Sequence, residues 1–289
     1  MNPLAPSLVF NPLRTSTGLA ATITKTLIYG EPGSGKTWQL QNYQKRYGRG
    51  LILSLEAGLR TLKAADIDYL RITSWAGGSK PDAGEESYWD WKDTRELISN
   101  PAFATFGYTW LGLDSLTELG DLCMNEVHRE LTTGPDGKPQ AIKNKYDLYT
   151  IYNERMVAAV KWFRDQPYHV CLTALVRAKQ DDNGADTAGP MIKGSAAAQQ
   201  IPGIVDNIFF LTRRARAQQP TAPDQPPQEP VIERFFLTDS YKGFFAKSRD
   251  PYRSLRTWEK TEDVTELLER VGKPAAPKAP AQMQTTTTP

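Results

Sequence analysis

The sequence predicts an α/β fold with a mostly parallel sheet, flanked by helices and finished by antiparallel strands at one edge. Three observations carry that expectation. Apolar runs such as Leu51–Leu55 and Tyr108–Leu113 are unbroken, as in strands buried on both faces. They alternate with helical patterns over most of the chain. The last strand-like segments sit too close together for helical crossovers. At 289 residues the chain suits one large α/β domain with appendages, or at most two small domains.

Residues 1–23 carry several prolines and little periodicity, and read as an arm. Thr24–Tyr29 is the first strand, ending at Gly30. A helix opens at Ser34 and runs to Tyr47, with Leu40 and Tyr43 at helical spacing. Leu51–Leu55 and Tyr69–Ile72 are the next strands. Gly77–Glu86 is loop by composition, and Tyr88–Ser99 reads as helix. The strand Tyr108–Leu113 ends at Asp114 and leads into a helix over Leu116–Leu131. Thr132–Lys145 is a loop with two glycines and two prolines, and Tyr146–Phe163 is an amphipathic helix. His169–Val176 is a buried strand, and Gln180–Pro190 reads as a mobile segment rich in Asp, Gly and Ala. Ile204–Leu211, Ile232–Leu237 and Phe244–Lys247 are strands, and Gln218–Pro230, with proline at five positions, is a solvated loop. Thr261–Val271 is the last helix, with Thr261 as its N-cap. The tail 272–289 is Pro, Ala, Gln and Thr, and is expected to be disordered. The domain boundaries follow: arm 1–23, core 24–271, tail 272–289.

Composition excludes several classes. Charged residues are 24% and hydrophobic residues 39%, ordinary for a globular protein. No run approaches the roughly 18–20 apolar residues of a membrane span. The N-terminus lacks a basic cluster followed by an apolar block, so no secretory signal is expected, and the expected location is the cytoplasm (the host's, if the gene is a phage's). Cys123 and Cys171 have no CxxC spacing and read as buried thiols. With His128 and His169 isolated, no zinc pattern exists. A net charge of +2 decides nothing about nucleic acid.

The chemistry concentrates in Gly30, Glu31, Pro32, Gly33, Ser34, Gly35, Lys36 and Thr37, which fit G-x-x-x-x-G-K-[ST] in full. Glycines let successive backbone N–H groups turn inward at phosphate oxygens, and the following helix presents its N-terminus to the same anion. Lys36 then reaches the β- and γ-phosphates of ATP, and the Thr37 hydroxyl ligates Mg²⁺. Asp114, at the end of its strand, is placed to hold Mg²⁺ through water; an ordinary helix cap is the plainer alternative. Glu56 stands at another strand end, on the rim where ligands of parallel sheets bind. There it is a candidate general base for water, or simply a solvated loop glutamate.

With these motifs in place, the sequence resembles a RecA-type P-loop ATPase core of the compact phage kind, a group that includes single-strand annealing proteins. The resemblance spans Lys25 to Arg253. It rests on the phosphate loop, Leu-Ser-Leu-Glu-Ala at 53–57, Leu-Gly-Leu-Asp-Ser at 111–115 and the strand Val170–Val176. It implies that Glu56 is the catalytic base and that Thr173 stands where the family places a polar sensor. It also implies that Thr133–Lys145 and Lys179–Gly194 are DNA-contacting loops, through Lys138, Lys143, Lys145, Lys179 and Lys193. Lys247 and Arg249 resemble the basic-x-basic element that such filaments insert into a neighbour's ATP site; a basic edge strand is the alternative. The function implied is a DNA-dependent ATPase that assembles as a ring or filament on single-stranded DNA and promotes annealing or strand exchange. A single-strand-binding or replication partner would dock on the tail. A helicase or replication loader, and a non-hydrolysing nucleotide switch, remain as alternatives.

Overall fold

A computed structural model describes residues 23–77, 88–142, 144–180, 184, 186–216 and 229–274; the side chains of residues 57, 145, 179 and 186 are outside the described set. Most of the expected arm, the 78–86 part of the first loop, Lys143, most of the proline-rich loop and the tail beyond 274 therefore lie outside it.

Ten strands are present among the described residues: β1 (Lys25–Gly30), β2 (Gly50–Ser54), β3 (Asp68–Ser74), β4 (Tyr88–Asp90), β5 (Trp110–Asp114), β6 (His169–Gln180), β7 (Asp186–Pro190), β8 (Asn207–Arg216), β9 (Val231–Leu237) and β10 (Trp258–Lys260). They lie in the order β10-β9-β8-β1-β6-β5-β2-β3-β4, with β7 hydrogen-bonded to β6 off that path. From β8 to β4 every pairing is parallel, and β9 and β10 add an antiparallel edge. The helices are α1 (Lys36–Tyr47), α2 (Trp91–Ser99), α3 (Leu116–Thr132), α4 (Lys145–Asp165), α5 (Ser195–Ile204) and α6 (Val264–Arg270).

The central strands alternate sides residue by residue, as extended chain must. Leu27 and Tyr29 of β1, Leu111 and Leu113 of β5, and Ile208 and Phe210 of β8 enter one core with residues of α3, α4 and α5. Ile28, Trp110, Phe209 and Leu211 enter the other, against Leu40 and Tyr43 of α1 and Val264, Leu267 and Leu268 of α6. The result is a sheet covered on both faces, which is why its central strands read as continuous apolar runs.

Several expectations need correction. Tyr88–Asp90 is a short strand, and the helix starts at Trp91, capped by the Asp90 side chain accepting from the Asp93 amide. Asp186–Pro190, expected to be mobile, pairs antiparallel with the extension of β6. Phe244–Lys247 is not a strand but a turn tied down by isolated bridges to Ala188, Tyr241 and Ile208. α5 and β10 had no counterpart in the sequence reading. The cap of α6 is Asp263 rather than Thr261, because Asp263 accepts from the Thr265 amide while Thr261 Oγ1 accepts from the Asp263 amide.

Packing is close where β2 meets β5. A Cβ on Gly50 would fall 1.9 Å from a ring carbon of Trp110. That indole is fully buried and donates its Nε1 hydrogen to the Gly48 carbonyl at 2.9 Å, so it has no room to swing away. Gly50→Ala is therefore expected to destabilise the fold by about 1–3 kcal/mol, the cost of overpacking. Urea unfolding checks this: the midpoint falls with an unchanged m-value, whereas an unchanged midpoint contradicts the close packing.

Candidate nucleotide site

The phosphate loop leaves the C-terminal end of β1 with no lateral freedom. A Cβ on Gly30 would meet the Leu211 carbonyl oxygen of neighbouring β8 at 2.3 Å. Gly33 and Gly35 have φ of 74° and 106°, a region that favours glycine, so the chain can turn back on itself before α1. α1 then starts at Lys36 with no acidic residue in its first turn and no side-chain cap on its free amides. That end of the helix is suited to an anion. Ser34 Oγ is buried with no hydrogen-bond partner among the described residues.

Lys36 is buried and its ammonium donates to the Gly30 carbonyl at 3.0 Å and the Glu31 carbonyl at 2.9 Å. Burial lowers its pKa, while the charges of Glu56, Asp114 and Glu31, in that order, hold it up. The lysine thus spans the loop from inside.

Asp114 closes β5 and is almost wholly buried. Its Oδ2 accepts from Thr37 Oγ1 at 3.0 Å and its Oδ1 from Thr173 Oγ1 at 2.5 Å, so residues of α1 and β6 converge on it. The peptide that follows, Asp114–Ser115, is cis, and Ser115 caps α3 by accepting from the Glu118 amide. The cap of this helix is thus Ser115 and not Asp114, whose side chain faces Thr37. Burial raises the Asp114 pKa above the ordinary carboxylate value; the Thr173 bond opposes this, Glu56 adds to it, and Thr37 and Lys36 oppose it.

Glu56 lies two residues beyond β2 at the same rim. The register pairs Ser54 with Asp114, and the Leu55 and Glu56 amides both donate to the Asp114 carbonyl, at 2.8 and 3.2 Å. The glutamate is half-buried, within electrostatic reach of both Lys36 and Asp114. Lys36, Thr37, Asp114, Glu56 and Thr173 are therefore one cluster. A divalent ion that shares nucleotide oxygens and water needs only one or two protein ligands, and Thr37 with Asp114 fit that donor set. No group of three or more His, Cys, Asp or Glu suited to a metal exists among the described residues.

The remaining sequence candidates lie elsewhere. Lys247 bridges Ile208 near the start of β8, and Arg249 pairs with Asp206 at 2.9 Å, just before β8 begins. β8 runs parallel to β1, so both sit toward the end of the sheet opposite their own phosphate loop. Lys138 is exposed in a turn closed by the Thr133–Pro139 bridge and pairs with Asp136 at 3.4 Å. Lys193 pairs with Asp121. Lys143 and the side chains of Lys145 and Lys179 lie outside the described residues.

Two residues at the loop stand outside the predicted site: Arg234, and Arg213, which with Arg214 and Arg216 reads from the sequence as a solvated turn at a strand end. Arg234, on β9, donates its Nε hydrogen to the Ser34 carbonyl at 3.3 Å, pairs with Glu262 and lies 5.8 Å above the Trp38 ring. Arg213, on β8, lies beside Gly33. The available signal was position: the arginines of 213–216 begin just past the buried run of β8, where a parallel strand reaches the ligand rim.

A family model described as an AAA domain matches residues 22–250, most of the chain. The chain belongs to the AAA domain family. No curated protein matches it. As an AAA-domain protein it binds nucleotide, and nucleotide hydrolysis is the general activity of the domain. The matched span contains the whole cluster at the rim, whereas β10 and α6 lie beyond it. No helix among the described residues is long and apolar enough to cross a membrane.

An acid whose folded pKa is raised holds more protons folded than unfolded, so stability falls as pH rises from the ordinary value of 3.8 through the raised one. Ionising Asp114 in the folded, nucleotide-free protein thus costs stability. Asp114→Asn is expected to melt no lower than the parent at pH 7, with its advantage fading as pH falls from the raised value to the ordinary 3.8. Its Mg²⁺-dependent gain in nucleotide affinity should drop about 10-fold or more. Thermal melts across pH and titrations with and without Mg²⁺ test this, and a lower melting point with intact Mg²⁺ dependence contradicts it.

Proposed function

We propose that this AAA-domain protein is a DNA-dependent ATPase that assembles on single-stranded DNA and promotes annealing or strand exchange. The observation that carries the hydrolytic part is the meeting of Glu56, Asp114 and Lys36 at one rim, through the β2–β5 register and the phosphate loop. In this reading Lys36 binds the β- and γ-phosphates of ATP, and Thr37 with Asp114 holds Mg²⁺, which screens phosphate charge when bound. Glu56 takes a proton from the attacking water as its oxygen bonds to the γ-phosphorus. The bond from that phosphorus to the β–γ bridging oxygen breaks, releasing ADP and phosphate.

The DNA part is supported by what stands at the same end of the molecule. The Tyr152 hydroxyl lies 2.8 Å from where a Gly120 Cβ would be, close to the start of α3. Seven residues of α4 precede Tyr152 and four of α3 precede Gly120, so α4 begins about 5 Å beyond the start of α3 at the usual helical rise. That stretch of α4 carries Tyr146 and Tyr149, 83% and 50% exposed, large rings of the kind that stack on unpaired bases. The β6–β7 hairpin extends beyond the rim as well. Both segments thus stand at the end of the sheet that carries the phosphate loop, which supports a coupling of phosphate chemistry to DNA contact. Lys247 and Arg249, remote from their own loop, are assigned to a neighbouring subunit's ATP in a ring or filament.

Phosphate release from ATP, with and without single-stranded DNA, tests the proposal, with Lys36→Ala as the blank. DNA is expected to stimulate release, and Glu56→Gln to lower the stimulated rate about 10²–10⁴-fold while nucleotide still binds. Equal rates with and without DNA, or full turnover in Glu56→Gln, would sink the proposed mechanism.

A further inference from the structure

We infer that Arg213 contacts the terminal phosphate of ATP held by its own chain, a cis-acting cation at the phosphate loop. This rests on the ATP-binding reading above and adds a residue to it. The first observation is placement. β8 is the parallel neighbour of β1, pairing Phe210 with Tyr29, and it continues past Leu211 alongside the loop. Its Arg213 guanidinium lies 3.7 Å from where a Gly33 Cβ would sit, over the turn of the phosphate loop.

The second observation is charge. Arg213 lies directly opposite Arg234 in the β8–β9 ladder, and like charges so placed destabilise an antiparallel pair. The neighbouring cations have their charge answered. Arg234 pairs with Glu262, Arg216 with Glu233, and Arg214 lies over the rings of Phe235 and Trp258. Arg213 is exposed and has no hydrogen-bond or ion-pair partner among the described residues. An unanswered guanidinium, set against a second one and against a loop built for phosphate, calls for an anion in between. A planar fork of donors suits a phosphate that accepts two bonds at once.

The arrangement also distinguishes Arg213 from Lys247 and Arg249. Those two sit toward the other end of the sheet, and Arg249 is already held by Asp206 and the Gly203 carbonyl. Arg213 needs no neighbour to reach the loop.

Titrations of the full chain with fluorescently labelled ATP and ADP test the inference. Arg213→Ala is expected to weaken ATP about 10-fold and ADP by less than about 3-fold, with Arg213→Lys recovering part of the loss. An unchanged ATP-to-ADP ratio, whether both affinities hold or fall together, overturns it. A parent protein that binds neither nucleotide overturns the ATP-binding reading itself, a separate result. Mixing Arg213→Ala with Lys36→Ala protein separates cis from trans. No recovery of phosphate release is expected, because no chain then carries both groups. Recovery would show that Arg213 serves a neighbour, and would overturn cis action.

Discussion

A carboxylate kept out of water at the end of a parallel strand constrains almost everything around it. Asp114 is 2% exposed, and a buried charge persists only where hydrogen bonds and opposite charge replace the lost hydration. The replacements come from separate elements: Thr37 from the first turn of α1, Thr173 from β6, and the Lys36 ammonium from the phosphate loop. The sheet order that brings them together places β6 between β1 and β5. The site is thus held by sheet topology more than by local turns. The same burial leaves Asp114 poised for a cation, since a divalent ion relieves the charge that folding confined.

The loop is also clamped from its far side. Arg234 bonds the Ser34 carbonyl and pairs with Glu262, whose own carbonyl accepts from Gln39 and Asn42 of α1. Gln39 in turn accepts from the Val264 amide, at the start of α6. The C-terminal segment that lies outside the family match therefore braces the helix whose N-terminus faces the phosphates. Arg234 thus ties the loop directly to the antiparallel edge.

How much of this was legible in the sequence depended on how local each signal is. The loop Gly30–Thr37 is contiguous, and its glycines and lysine announce their use directly. Asp114 and Glu56 were legible because each ends an apolar run, and parallel strands bring such ends to one rim. α5 was missed because Pro202 and Gly203 in its last turn disguise a helix whose small residues, such as Ala197, pack into the core. β7 looked mobile because its Asp/Gly-rich composition says nothing of the ladder that the extension of β6 supplies. β10 is three residues long and exists only as a partner of β9. The nearness of Arg213 to Gly33 and the distance of Arg249 from the loop both follow from β8 being the neighbour of β1. That adjacency links residues some 180 positions apart, such as Thr26 and Asn207, and no local pattern encodes it.

The central claim is that one phosphate loop, completed by Asp114, binds nucleotide in each chain. Calorimetric titration of the parent and of Lys36→Ala with ATP, in the presence and absence of Mg²⁺, tests it most directly. The account predicts one ATP per chain, affinity that rises with Mg²⁺, and loss of binding in a Lys36→Ala protein that still unfolds cooperatively. Equal ATP binding by a folded Lys36→Ala protein, or Mg²⁺ without effect on the parent, would contradict it.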